Sequence, residues 1–328
     1  MQRIILKKQL KVLLVDVDSK IPNIALMKLK TKYPQAVFLK IGFNAYPHKK
    51  HKVIDNTKYD LTFVSVIFAQ NKNRIIFKKQ PTLVGGTGHN LIIKLPQDID
   101  QLIEDYSIYP DSKFSYIFIT RGCPNKCYFC IVPKKEGNIQ KYYDWEKRIQ
   151  HKQINFLDNN FLAFEDSLNI LDIMIQKKYK VKFNAGLDIR YLTEEKAKKL
   201  SQLKYIGEYI FAFDNINLFP IIKEKIPILK KYISKNWKIK MCVYINKKDT
   251  IENIKQRIFY LKQNNILPYI MRDSNCYKSI NSSFYSCLAA WCNQPHIFKT
   301  KTFEQVVYLR IKNKKTRKKI LKFWYFKK

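Results

Sequence analysis

Three cysteines constrain this chain more than anything else in it. Cys123, Cys127 and Cys130 form a C-x3-C-x2-C array inside residues 114–137, FSYIFITRGCPNKCYFCIVPKKEG. The run before them, Tyr116–Thr120, is apolar and β-branched and predicts a buried strand. The thiols therefore fall in the loop after a strand, where an α/β protein keeps its chemistry. Arg121, Gly122 and Pro124 end the strand and let the backbone wrap closely around a bound object. Thiolates spaced this way suit a soft metal centre. Three of them leave one iron of a 4Fe–4S cube without a protein ligand, an open position for a substrate or cofactor. A zinc site and three unrelated core thiols are the competing readings, but zinc usually takes four ligands in paired C-x2-C halves. No second pair and no His-x3-His follows nearby.

With 328 residues the chain is long enough for two domains, and 46% hydrophobic and 14% aromatic content excludes a disordered chain. The net charge of +36 favours polyanions such as RNA. Only nine of the cations are Arg, and Lys, Ile, Asn, Tyr and Phe abound. A/T-rich coding would give the same bias without a nucleic-acid partner, so both readings stand. Seven cysteines with none before Cys123 are not a secreted disulfide framework. The opening MQRIILKKQLK carries charges through its apolar residues, so no signal peptide is expected. No apolar run approaches the roughly 20 residues that span a bilayer. A cytoplasmic protein without a membrane span is expected.

Residues 1–105 read as a small doubly wound, Rossmann-like α/β domain. Its strands are Lys11–Val17, Ala36–Ile41 and the continuously apolar Leu61–Ala69. Pro22–Lys32 is a helix, and Pro81–Val84 leads into the turn Gly85-Gly86-Thr87-Gly88. Residues 106–113 read as a linker. From 114 to 280, six strands (Tyr116–Thr120, Ile154–Leu157, Val181–Asn184, Tyr209–Phe213, Ile239–Ile245, Leu267–Met271) alternate with helices. That alternation predicts a partial, open (β/α)6 TIM-like barrel, whose C-terminal strand ends carry the chemistry. Residues 281–328 read as a helical basic extension.

The cysteine spacing, the aromatic Phe129 before the third cysteine and the preceding strand resemble the motif of the radical S-adenosylmethionine (radical SAM) enzymes. The wider string TRGCPNKCYFCIVP is also similar to the tRNA methylthiotransferases of that superfamily. The resemblance to the radical SAM core covers the whole barrel. It implies a 4Fe–4S cluster on Cys123, Cys127 and Cys130, with SAM on the unique iron. It also implies reductive cleavage of SAM to a 5′-deoxyadenosyl radical, fed by a one-electron donor such as flavodoxin or ferredoxin. Substrate is not implied. The N-terminal piece, with its YDLTFVSVIF strand and VGG turn, is similar to the cobalamin-binding domains that precede many radical SAM barrels. Those domains place D-x-H-x-x-G after the first strand. This chain has Asp16-Val17-Asp18-Ser19-Lys20 there, so cobalamin is not expected and the domain reads as degenerate. His48 and His51, in the basic run PHKKHK, read as solvated. The methylthiotransferases carry a second cluster on an N-terminal domain; the absence of cysteine there argues against the same reaction.

The second strand ends in Asp158-Asn159-Asn160, where the family holds the methionyl amine of SAM, usually with a Gly-Gly-Glu element. This chain has no Gly-Gly, but a carboxylate and two amides can accept from an ammonium; capping a turn is their competing role. The third strand leads to Asp188 and Arg190. The guanidinium suits the carboxylate of SAM and Asp188 its ribose hydroxyls, unless the two form an ion pair. Asp214 and Arg272 end later strands and face the same mouth. Lys134, Lys135 and Glu136 could reach substrate or lie in a solvated loop. Cys242 reads as core. Cys276, Cys287 and Cys292 could hold an auxiliary cluster, or be ordinary buried thiols of the apolar SCLAAWC segment. The tail from Arg310 is either a basic aromatic arm for RNA or an amphipathic closing helix. Two other functions compete with a radical SAM enzyme: a non-catalytic nucleic-acid-binding metalloprotein and a cobalamin-dependent radical SAM methyltransferase.

Overall fold

The computed structural model describes residues 9–43, 51–235 and 237–325. In the N-terminal half, β1 (Val12–Asp16), β2 (Val37–Lys40), β3 (Leu61–Ser65) and β4 (Leu83–Gly85) form a parallel sheet in the order β2-β1-β3-β4. All five residues of β1 are buried, as its unbroken apolar run requires of a central strand. The order reverses beside β1, the switch point where open parallel sheets leave a crevice. Helix α1 (Ile24–Lys32) starts where the Asn23 side chain accepts from the Leu26 amide at 3.2 Å. The Asn23 amide also donates to Ser19 and Ser65, tying the loop after β1 to the end of β3. β3 stops at Ser65, four residues short of the expected strand. Beyond it, the buried Asp18 carboxylate accepts from the amides of Ile67 and Phe68 and from Asn71, which takes them out of the ladder. Gly86, at φ +93°, turns so tightly that a Cβ would sit 2.3 Å from the Val66 carbonyl oxygen.

The second half carries six parallel strands in chain order. β5 (Phe114–Ile117), β6 (Gln153–Phe156) and β7 (Lys180–Phe183) belong to one sheet, with Lys204–Tyr205 at its edge. β8 (Tyr209–Ala212), β9 (Ile239–Ile245) and β10 (Leu267–Arg272) form another. A parallel bridge from Leu187 to Phe211 joins them, with the Leu187 amide on the Ile210 carbonyl at 2.7 Å. Helices α2 (Ser167–Gln176), α3 (Glu194–Gln202), α4 (Phe219–Tyr232) and α5 (Ile251–Gln263) separate the strands. Alternation assigns the two faces. Ile117, Ile154, Phe156 and Val181 pack with Leu171, Met174 and Leu200 of the helices. Tyr116 and Leu157, out of phase with them, pack instead with Val12, Leu14 and Leu26. The N-terminal half thus covers the helix-free face of the first of these sheets.

The segment expected as a linker is part of this packing. Tyr106, Ile108 and Tyr109 are buried with Val12 and Leu14, and the Tyr106 hydroxyl accepts from the Tyr116 amide at 2.6 Å. Two buried cations reinforce the junction. Lys28 donates to Asp100 and the Tyr142 hydroxyl, and Arg148 donates to Glu104 and to the carbonyls of Gln101 and Leu102. At the C-terminus, α6 (Ser282–Cys292), α7 (Pro295–Thr300), α8 (Phe303–Arg310) and α9 (Lys314–Tyr325) follow. Trp324 of α9 is buried against Phe303, Phe284 and Trp291, so it closes a core and is not free to stack on bases. Lys315, Lys318, Lys319 and Lys322 stay exposed. Among the described residues no helix is long and apolar enough to cross a membrane.

Candidate functional site

The cysteine loop is closed at its base. Thr120–Arg121 pairs antiparallel with Gln140–Lys141, and the Cys123 amide donates to the Gly137 carbonyl at 3.1 Å. Arg121 grips Glu136 with two bonds, Nε at 3.1 Å and Nη2 at 2.5 Å. Gly122 lies at φ +88° with no room for a Cβ, which would fall 2.1 Å from the Asn138 carbonyl oxygen. Asp158 and Asn159, expected as contacts to the ammonium of SAM, have other partners. Asp158 is buried, and accepts from the Thr120 amide at 2.6 Å, the Thr120 hydroxyl at 2.7 Å and the Ile119 amide at 3.3 Å. Burial pushes its carboxyl up to about 6, and these donors oppose the shift. Asn159 accepts from the Gly122 amide at 3.0 Å. Both side chains are spent on holding the loop to β6, because Thr120 has left the parallel ladder and its donors need acceptors.

The three thiols are half-buried and unpaired. Cys123 Sγ accepts from the Asn125 amide at 3.4 Å, from Asn125 Nδ2 at 3.5 Å and from Asn160 Nδ2 at 3.4 Å. Cys130 Sγ accepts from the Val132 amide at 3.4 Å. Donors of this kind stabilise a thiolate and tune a bound cluster. Burial pushes the Cys127 thiol up, and the Arg190 guanidinium beside it pulls the other way. Among the described residues no three His, Cys, Asp or Glu side chains gather round the point a single metal ion would occupy. A cube gives each thiolate its own iron, so its ligands stand further apart than those of one ion. The donor set, soft, exposed on one side and flanked by N–H groups, fits such a cluster. The remaining cysteines lie elsewhere: Cys276, Cys287 and Cys292 are buried and Cys242 is half-buried. Burial raises the Cys242 and Cys276 thiols to about 11, as expected of inert core cysteine.

Asp188 and Arg190 form the ion pair that competed with their cofactor roles. Arg190 Nε and Nη2 reach the two Asp188 oxygens at 2.8 and 2.7 Å. The pair, Asp188 first, holds the guanidinium above its ordinary value. Asp188 also accepts from Asn125 Nδ2 at 2.7 Å and Asn160 Nδ2 at 3.0 Å. One network therefore links the first three strand ends: Cys123 and Asn125, then Asn160, then Asp188 and Arg190. Within it Asn160 Oδ1 is buried without a partner, an acceptor left open beside the thiols. Asp214, at the end of β8, is pushed up to about 6 by burial, with Asp188 adding and Arg190 and Arg257 opposing.

Phe129 stacks on Tyr244 at 4.2 Å and 20°, and the Tyr244 hydroxyl donates to Asp273 at 2.6 Å. The Tyr128 hydroxyl accepts from Asn246 at 3.0 Å. The loop after β5 thus reaches across to the end of β9. Asn125 and Tyr244 escaped the sequence reading. An amide inside the cysteine loop was a usable signal; for Tyr244, its place near the end of a strand was the one hint. Arg272 lies over the Tyr277 ring at 4.4 Å. Lys134 is exposed, whereas Lys135 donates to Thr87 at 2.8 Å and so touches the glycine turn of the N-terminal half. Where a cobalt ligand would stand, Asp16 accepts from Ser19 and Tyr109, and Asp18 is bonded as described above. His51 is exposed, and His48 lies outside the described residues.

No family model matches the chain. Part of it is 26% identical over 162 residues to the tRNA-2-methylthio-N(6)-dimethylallyladenosine synthase of Aquifex aeolicus (strain VF5), covering 45% of this chain and 36% of that protein. It is 22% identical over 190 residues to the protein of the same name from Thermoanaerobacter sp. (strain X514), covering 54% and 39%. The chain is related to the radical SAM superfamily. This relationship is partial, since the matches span well under half the length of those relatives. Among solved structures, Streptococcus suis SuiB bound to S-adenosylmethionine is 15% identical, covering 49% of this chain and 39% of that one. Its TM-score of 0.34 is too low for the likeness to carry an argument.

Proposed function

We propose that this protein is a radical SAM enzyme, with the six parallel strands of its second half acting as a partial barrel. The observation that carries this is the set of three unpaired, half-buried thiols, flanked by N–H donors, in a loop fixed to a strand end. Cys123, Cys127 and Cys130 would hold a 4Fe–4S cluster. When bound, the cluster supplies the electron that cleaves the sulfonium of SAM to methionine and a 5′-deoxyadenosyl radical. The chain's own groups divide the remaining work. Asn160 Oδ1, unpartnered, accepts from the ammonium of SAM. Arg190, fixed by Asp188, offers its remaining N–H groups to the carboxylate. Phe129 and Tyr244 wall the site and keep water from the reacting centre.

A flavodoxin- or ferredoxin-like electron donor and a cytoplasmic setting belong to this reading. The excess of lysine and the names of the relatives support RNA, or another polyanion, as partner or substrate. Anaerobic reconstitution followed by reduction with SAM should yield 5′-deoxyadenosine. A verified cluster that yields none, even with cell extract supplied as a source of substrate, would sink the proposal.

A further inference from the structure

A second site lies where the two halves face each other. The ends of the N-terminal strands and the helix-free face of the sheet of β5, β6 and β7 border a cavity of about 830 Å³. That lies within the range of roughly 300–1,000 Å³ typical of small-molecule sites and is far larger than a bare ion needs. None of the three motif cysteines lines it. Its walls include Ile21, Ile93, Leu157 and Phe118, with Tyr142 and Tyr143 beside them. They offer apolar and ring surface for a planar group. The first turn of α1 borders it through Asn23, Ile24 and Ala25, adding the positive end of that helix.

The charge around the cavity is unbalanced. Lys20, Lys94, Lys135, Lys141 and Arg121 line it against only Asp100 and Glu136. Both carboxylates are already neutralised: Glu136 carries the two bonds from Arg121, and Asp100 accepts from Lys28 and Tyr142. Lys135 is occupied with Thr87 and lies 3.8 Å from Glu136. Lys20, Lys94 and Lys141 have no ion-pair partner among the described residues. Three uncompensated ammonium groups thus share one cavity with an apolar, ring-bearing wall.

We propose that this cavity binds a phosphorylated small molecule with a planar ring, of nucleotide size. Its phosphate lies among Lys20, Lys94, Lys141 and the first turn of α1, and its ring lies against Phe118 and the tyrosines. Titration calorimetry on the full chain tests this with four probes, the 5′-monophosphates of uridine, cytidine, adenosine and guanosine, each compared with its unphosphorylated nucleoside. At least one monophosphate should bind roughly tenfold or more tightly than its nucleoside. Lys20→Ala, Lys94→Ala and Lys141→Ala combined should remove roughly tenfold or more of that affinity. The same charge removed from α9, by Lys315→Ala, Lys318→Ala and Lys319→Ala, should leave it unchanged. All six lysines are exposed, so circular dichroism should show both variants folded. Arg190→Ala should leave binding intact, which separates this cavity from the proposed SAM site. The proposal fails if no monophosphate outbinds its nucleoside, or if the cavity variant binds as wild type. It also fails if the α9 variant loses as much affinity as the cavity variant.

Discussion

The two sets of strand ends that face each other across the molecule are made of different chemistry. After β1 and β3, Asp16, Asp18, Asn23 and Ser65 satisfy one another and the local backbone. What they leave over is a glycine turn, a helix terminus and lysines on a rim. After β5, β6 and β7, Asp158, Asn159 and Asp188 are similarly engaged, but three thiols form no disulfide and one buried carbonyl oxygen has no hydrogen-bond partner. The contrast teaches that polar residues at strand ends are a poor guide to function by themselves. What counts is the group left unspent once the fold has taken its hydrogen bonds. By that measure the proposed phosphate site falls to the first set and the proposed cluster to the second.

The sharpest test of that division removes the thiols. Cys123→Ala, Cys127→Ala or Cys130→Ala should each abolish the absorbance of a reconstituted 4Fe–4S cluster and all cleavage of SAM. Cys242→Ala, whose half-buried thiol is pushed up to about 11 by burial, should leave both in place. If a triple alanine variant retained about four irons per chain, the ligands would lie elsewhere and the contrast would collapse.

A smaller effect is expected where the halves are clamped. Arg148 and Glu104 are each only 4% exposed and stand 2.8 Å apart. Burial pushes the Glu104 carboxyl up, with Arg148 the largest opposing influence. Arg148→Met should destabilise the fold by somewhat less than the roughly 3–5 kcal/mol of a wholly stranded buried charge, because Lys28 remains 3.9 Å from Glu104. Adding Glu104→Gln should recover part of that loss. An unchanged urea midpoint in Arg148→Met would mean that the junction is held by apolar contact alone.

Next comes the pH response of the second set of strand ends. In the cluster-free protein the Asp214 carboxyl sits at about 6, above its unfolded value. The folded chain therefore retains a proton that the unfolded chain has released. The stability due to this group is complete below about pH 4 and is lost as pH rises through about 6. Asp214→Asn removes that loss. Relative to wild type, the variant should gain about 1–3 kcal/mol between roughly pH 4 and pH 8. Parallel unfolding curves at the two pH values would show that Asp214 is solvated instead.

Much of this arrangement was legible in the sequence. The apolar run of β1 announced a central strand, and the cysteines stand, as expected, in a loop after a strand. Asn160, Asp188 and Arg190, expected as contacts to SAM, stand in one network, with Asp188 and Arg190 in the ion pair that was their competing reading. What escaped was direction. Asp158 stands at the expected place, yet the unpaired donors of Thr120 and Ile119 claim its oxygens, a consequence of where the ladder stops. YSIYPDS looked like a spacer because Pro, Asp and Ser suggest a solvated turn. Its tyrosines and Ile108 instead found a core that belongs to residues some 90 positions earlier in the chain, Val12 and Leu14. Contacts so distant in sequence leave no local periodicity to read.

The smallest expected effect concerns Arg190, which stands between the two kinds of group. Its Nε and Nη2 are committed to Asp188, yet the side chain keeps about 29% of its surface exposed. Its planar fork has further N–H donors beyond those two. Arg190→Ala would remove a donor to the carboxylate of SAM and leave the Asp188 carboxylate uncompensated close by. SAM affinity should fall about tenfold, roughly 1.4 kcal/mol, the lower end of a charge-assisted hydrogen bond. The cluster should survive, because no thiolate is lost. Arg190→Lys, which keeps the charge but not the fork, should fall between. Titrating SAM into reduced, reconstituted variants by electron paramagnetic resonance measures both affinity and cluster content. Wild-type affinity in Arg190→Ala would make Arg190 solely a partner for Asp188. Arg272, at the end of β10, would then be the cation to test against the carboxylate.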